Sequence, residues 1–299
     1  MRGSSELTVT LAVAQLAPRI GDPERNRGLT AAAIVDAAQA GADLVVLPEL
    51  CNSGYVFADA QEARSLAEPV DGPSVEQWRA LAREHDLAVV AGLCELDDGG
   101  AVRNSAVVID SGEVRAVHRK AHLWDREKLC FEPGSLPAPV VETKAGFVGV
   151  AVCYDAFFPE VMRALSIAGA DVIAVPMNAP VLAPPLEPLA ADLITACASA
   201  QINRVYVAQA DRTGTERGVD WVGASVIVDP EGRMLTGKAP TEALLTATVD
   251  LARARDKRFS ERNDVLADRR PELSARPARI IERGAPTAGK PGPTPSAIA

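Results

Sequence analysis

Along the chain, apolar runs of strand length alternate with stretches whose apolar positions recur at helical spacing. The run "LTVTLAVAQL" is followed by the helical "NRGLTAAAIVDAAQAGA", the strand "DLVVLPEL", the helical "SVEQWRALAREHD" and the strand "LAVVAGLCEL". Three closely spaced strands come next, "AVRNSAVVID", "GEVRAVHRK" and "GFVGVAVC", with Ser111-Gly112 as the turn between the first two. The alternation then resumes with a helix from about Pro159 to Ala168, the strand "DVIAVPMN", the helix "LAADLITACASAQINR" and the strand "VYVAQAD". "WVGASVIVDPEGRML" and "ALLTATVD" complete the pattern, with a hairpin turn at Pro230-Glu231-Gly232. Hairpins mixed with crossovers predict an α/β fold with mixed sheets covered by helices. The near-continuous apolar strands "DLVVL" and "DVIAV" predict burial on both faces.

From Leu251 the composition turns charge-dense, which predicts a surface segment or an arm onto a partner subunit over 251–283. One domain is expected over 5–283. The tail 284–299, rich in Pro, Gly and small residues, has too little apolar area to offset its ordering entropy and is expected to stay disordered.

Composition narrows the function. A net charge of -9 over 299 residues, with three histidines, argues against a nucleic-acid partner. No apolar run approaches the roughly 20 residues that span a bilayer, so no membrane partner is expected. Thr8, Thr10 and Gln15 break the one run that resembles a signal-peptide core, so a cytoplasmic location is expected. The five cysteines are odd in number and lack any CxxC pair, which predicts free thiols and no structural metal.

Candidate chemistry centres on "GVAVCYDAFFPE", Gly149 to Glu160. The strand ends at Cys153 and Pro159-Glu160 opens a helix, so Cys153 lies at a strand-to-helix turn, close to backbone N–H groups such as that of Tyr154. Read alone, Cys153 is more readily a small buried hydrophobe. A nucleophilic cysteine also needs a base and a charge-stabilising partner. His85, His118 and His122 give no clear Cys-His pair. Glu49 and Lys120 end two other strands, where sites of open sheets collect, although each read alone is an ordinary solvated charge.

Taken together, "VVLPEL" with Glu49, "HRKAHL" with Lys120 and "GVAVCYDAFFPE" with Cys153 resemble the carbon-nitrogen hydrolase (nitrilase) superfamily. "GY" at Gly54-Tyr55, "EKLCFEPG" from Glu127, "VPMNAP" and "WVGASVIVDPEG" extend the resemblance over roughly residues 8 to 250. It implies an αββα sandwich with two mixed sheets, a Glu-Lys-Cys triad without cofactor or metal, and a homodimer or higher oligomer. Glu49 is then the general base, Cys153 the nucleophile, and Lys120 the stabiliser of thiolate and oxyanion with the Tyr154 N–H. Glu127, matching a second family glutamate, holds the substrate amide or Lys120. Where many relatives carry Arg and Glu before "RVYVA", this chain has Ser199 and Ile202, with Asn203 retained.

The resemblance also bears on substrate. Branches acting on N-carbamoyl amino acids place an Arg shortly after the nucleophile, where this chain has Ala156, Phe157 and Phe158. A buried substrate carboxylate would lack its partner there. Tyr154-Asp155 looks like the amidase branches, whereas nitrilases proper have Trp-Glu. The absence of a second catalytic domain and of membrane spans sets aside the ammonia-channelling and lipoprotein-acylating branches. The expectation is an amidase releasing ammonia from a small aliphatic, aromatic or ω-amino amide, with N-carbamoylputrescine-type hydrolysis as the alternative. A non-catalytic redox or scaffold member is the reading from another class. Tyr55, Trp124, Phe131, Tyr154, Phe157 and Asn178 are the expected pocket residues.

Overall fold

The computed structural model describes residues 7–182 and 189–274. The first half runs β1 (Thr8–Gln15), α1 (Pro23–Gln39), β2 (Leu44–Val46), α2 (Ala60–Leu66), α3 (Pro73–Glu84), β3 (Ala88–Leu96), β4 (Val102–Asp110), β5 (Glu113–Arg119) and α4 (Glu127–Cys130). The second half continues with β6 (Val140–Thr143), β7 (Gly146–Val150), a 3-10 turn (Cys153–Phe157), α5 (Pro159–Ile167), β8 (Val172–Pro176), α6 (Ala191–Asn203) and β9 (Tyr206–Ala210). Then come β10 (Thr215–Glu216), β11 (Val219–Asp220), β12 (Val226–Val228), β13 (Ala243–Asp250), α7 (Ala252–Arg255), β14 (Arg258–Ser260) and β15 (Asn263–Asp264). A separate short unit from Ala267 holds α8 (Pro271–Ser274), where Arg270 pairs with Glu272.

Two mixed sheets carry the main body. One has the order β13-β1-β2-β3-β4-β5, with β1, β2 and β3 parallel and the remaining pairs antiparallel. The other has the order β12-β9-β8-β7-β6, with β7, β8 and β9 parallel. The two-residue period of a strand sorts side chains between two cores. In β1, Leu11 and Val13 face the second sheet's Val148, Val150, Val172 and Ala174, while Ala12 and Ala14 face Ile34, Val75 and Trp78 of α1 and α3. Met162 and Leu165 of α5 and Leu193 and Ala196 of α6 cover the other outer face. The layers are therefore helix, sheet, sheet, helix, as the resemblance implied.

Local chemistry places the helix starts. Asp22 accepts the Arg25 N–H at 3.3 Å and Pro23 occupies the first turn of α1; Asp59 caps α2 through the Glu62 N–H at 2.9 Å. The sequence pattern differs from the structure at β2, which stops at Val46 because Pro48 lacks a donor and Leu50 turns at φ 48°. "ALLTATVD" crosses to the first sheet as β13, and the return leg of the Pro230 turn is a single bridge, Val228 to Met234.

The charged segment after Asp250 begins by packing on its own chain. Leu251 and Ala254 are buried, Arg255 grips buried Asp171 with two bonds of 2.8 and 2.9 Å, and Arg253 reaches buried Asp229 at 2.9 Å. The tail 284–299 and residues 275–283 of the expected arm lie outside the described residues. Among the described residues, no helix is long and apolar enough to cross a membrane.

Candidate active site

The carboxyl ends of strands from both sheets converge on one buried cluster. After β2, the chain is pinned to the opposite sheet: the Glu49 N–H donates to Met177 O at 3.4 Å, and Asn178 Nδ2 donates to Glu49 O at 2.9 Å. After β5, the Lys120 N–H donates to Asn104 O of neighbouring β4 at 2.8 Å. After β7, Cys153 adopts φ 47°, a left-handed conformation uncommon for a residue with a Cβ. Such a turn lifts a side chain out of the sheet plane. Its strand is interior to the sheet, so the thiol leaves from the carboxyl end of a strand and not from the sheet's lateral edge.

Lys120 is the hub. Its Nζ donates to Glu49 Oε1 at 2.7 Å and to Glu127 Oε1 at 2.8 Å, and neither Lys120 nor Glu49 is exposed. Asn104 Nδ2 also donates to Glu49 Oε1, at 2.7 Å. Glu49 Oε2 is buried with no partner among the described residues. Glu127 is held in turn by the Tyr55 hydroxyl at 2.5 Å and the Trp124 N–H at 3.0 Å. The Cys153 Sγ lies 3.9 Å from Asn178 O.

Charge explains the proton inventory. Two carboxylates face one ammonium in a dry site, so one carboxyl is driven toward its neutral form. Burial pushes Glu49 up to about 7 against the attraction of Lys120. Burial alone would neutralise Lys120, but Glu49 and Glu127 outweigh it and hold the ammonium charged beyond its ordinary range. Burial and the Glu49 charge push the Cys153 thiol well up, with Lys120 opposing. Lys120 thus favours the thiolate, as expected, but Glu49 and Glu127 share its charge and it does not outweigh burial. The resting nucleophile is a thiol beside a carboxylate with one free oxygen.

A cavity of about 260 Å³ opens from Glu127. Tyr55, Trp124 and Phe131 line it, and so do Phe57 and Trp221. Tyr55 meets Trp221 edge-on at 5.2 Å. Tyr154 packs edge-on against Trp124 at 4.9 Å but faces a shallower depression with His122 and Phe158. Phe157 lies outside the cavity, 39% exposed on the 3-10 turn; Asn178 adjoins Cys153 through its backbone carbonyl, with Nδ2 bonded to the Glu49 backbone and Oδ1 buried without a partner among the described residues.

Two contributors carry no sequence signal for this site, and a third, Trp221, shows only as the first residue of the motif "WVGASVIVDPEG". Asn104 is one polar residue within a strand. Glu216 accepts the Tyr55 and Val56 N–H groups at 2.9 and 2.8 Å and pairs with Arg212 at 2.9 Å, fixing the cavity wall across 160 residues of sequence. Among the described residues, no group of three or more His, Cys, Asp or Glu is placed to hold a metal ion.

Comparison with known proteins agrees with this fold. The family pattern described as carbon-nitrogen hydrolase matches residues 10–259. A protein named nitrilase from Pyrococcus abyssi is 39% identical over 266 residues, covering 88% of this chain and 98% of the relative. An (R)-stereoselective amidase of a Pseudomonas species is 34% identical over 265 residues, 88% of this chain and 92% of the relative. The crystal structure of an amidase from a Nesterenkonia species superposes with a TM-score of 0.75 at 29% identity, covering 92% of this chain and 97% of that one.

Proposed function

The chain belongs to the carbon-nitrogen hydrolase family, and from that premise we propose that it is an amidase for small carboxamides whose acyl group is apolar or aromatic. It is a hydrolase of non-peptide carbon-nitrogen bonds. The observation that carries the amidase mechanism is the buried Glu49-Lys120-Glu127 network beside Cys153, with one Glu49 oxygen unpartnered.

In this reading Glu49 Oε2 takes the thiol proton as Sγ attacks the amide carbon. The Lys120 ammonium and the Tyr154 N–H stabilise the oxyanion. Collapse breaks the carbon-nitrogen bond, and Glu49 returns its proton to the leaving nitrogen, which departs as ammonia. A thioester remains. Glu49 then deprotonates water, the hydroxide adds to the thioester carbon, and the acid leaves as the thiol regains a proton. Glu127 keeps Lys120 aimed throughout.

The cavity reached through Glu127 supports this substrate class. Its aromatic walls favour an apolar acyl group, while Asp125 and Glu127 repel a carboxylate. Arg126, a cation at the wall, donates one N–H to Ala58 O at 3.2 Å and stands between these two carboxylates in sequence. Asp125 supports an ω-amino amide as the second reading.

Ammonia release from butyramide, benzamide, ω-amino amides and N-carbamoyl amino acids tests both. Butyramide or benzamide should turn over and N-carbamoyl amino acids should not. Cys153→Ala should lose at least about 10⁴-fold in kcat. Preferred turnover of carbamoyl amino acids would overturn the substrate class, and activity in Cys153→Ala the mechanism.

A further inference from the structure

One carboxylate beside the nucleophile has a set of partners that the triad chemistry does not use. Asp155, two residues after Cys153, is buried and accepts from two imidazoles, His118 Nε2 at 3.0 Å and His122 Nδ1 at 2.7 Å. Those histidines stand two residues before and two after Lys120. Backbone donors complete the shell. The His122 N–H reaches Asp155 Oδ1 at 2.9 Å, and the Val152 N–H reaches Oδ2 at 3.3 Å. His122 stacks flat on Phe158, with ring centroids 3.6 Å apart.

We infer that Asp155 is a positioning residue whose grip on His118 and His122 fixes the Lys120 ammonium against the Cys153 thiol. The inference rests on the proposed roles of Cys153 and Lys120. Its physical basis is that the two groups come from different sheets, β5 in one and β7 in the other, so no shared hydrogen-bond ladder sets their spacing. Asp155 crosses that seam from the Cys153 turn to both sides of Lys120. It also braces the turn itself, since the Val152 N–H lies just before the left-handed Cys153. Burial works to raise the Asp155 carboxyl, yet the donors from His118 and His122 outweigh it and keep the group below its ordinary range, as an acceptor for all four bonds.

A carboxylate is specifically required. A neutral imidazole can change tautomer to accept from an amide, but a backbone N–H cannot become an acceptor. Each oxygen of Asp155 receives one backbone N–H, so either orientation of an asparagine sets its NH₂ against a backbone donor.

The test measures the rate of Cys153 alkylation by iodoacetamide, read on the Cys153 peptide by mass spectrometry, together with kcat per alkylatable site, KM and thermal unfolding. In Asp155→Asn, alkylation and kcat per site should each fall at least tenfold, with KM within about threefold. His122→Ala should show the same pattern more weakly, and His122→Asn, which keeps a donor near the Nδ1 position, should recover to within about threefold of wild type. A purely structural role would reduce the alkylatable fraction and leave kcat per site unchanged, and that result overturns the inference. So do wild-type alkylation and kcat in a folded Asp155→Asn. Should Asp155→Asn fail to fold, His122→Ala against His122→Asn decides, and equal behaviour of the two overturns it. Failure of the triad reading is distinguishable, because Cys153→Ala would then retain amide hydrolysis.

Discussion

Glu49 shows how far single atoms set the chemistry. Its Oε1 carries both donors, Lys120 and Asn104, and leaves Oε2 as the proton acceptor. A base whose carboxyl is pushed up to about 7 works only when deprotonated, so kcat/KM should fall about tenfold per unit as pH drops below 7. An acidic limb near the ordinary glutamate range of about 4.3 would remove Glu49 from the role. Asn104 stabilises the charged form, so taking its donor away must raise the Glu49 value further. Asn104→Leu should shift the limb upward by on the order of one unit, the equivalent of about 1.4 kcal/mol for a bond to a charged group. A pH-rate profile of both proteins checks the sign.

At the level of elements, the site depends on how closely the β2 loop can lie on β3. Gly92 donates to Pro48 O at 3.1 Å and accepts from the Cys51 N–H at 3.2 Å. A Cβ there would stand 2.4 Å from Glu49 Cα and 2.5 Å from Pro48 O. Gly92→Ala must therefore displace the segment that carries the base. It should cost about 1–3 kcal/mol in urea unfolding and lower kcat by more than tenfold. Gly28, inside α1 with nothing within 4 Å, is the control: Gly28→Ala should stabilise by about 0.5–1 kcal/mol and leave activity unchanged. The helices α1, α3, α5 and α6 were legible because their apolar positions recur at helical spacing over a turn or more, and β1, β3, β8 and β9 because they are apolar runs of strand length. Strand β6, the β10-β11 pair and the short helices α2 and α4 were not, since two to seven residues hold too few repeats to show a period.

For the molecule as a whole, closure of the first sheet depends on a late segment. β13 pairs with β1 across 228 to 242 residues of sequence, in register from Thr8 with Asp250 to Gln15 with Ala243, and the residues just after it lock the seam. A chain ending at Asp250 loses the burial of Leu251 and Ala254 and leaves Asp171 and Asp229 without Arg255 and Arg253. We expect it to lose about 2–4 kcal/mol, a fall in Tm of roughly 5–15 °C. An unchanged melt would show that the segment contributes nothing to its own chain. Size-exclusion chromatography of the same variant tests the proposal of a homodimer bridged by this arm.

The sequence alone determined the α/β alternation and the turns, because strand and helix periodicities are local properties. Through its ordered motifs, it also pointed to Glu49, Lys120 and Cys153. Which sheet each strand joins was decided only in three dimensions: "ALLTATVD" has the same alternation whether it pairs with β12 or with β1. Packing also decided that Lys120 is shared between two carboxylates, that the Cys153 thiol rests protonated, and that Asn104, Trp221, Glu216 and Asp155 attend the site. Burial and the distances between charges set these properties, and neither exists until distant segments meet.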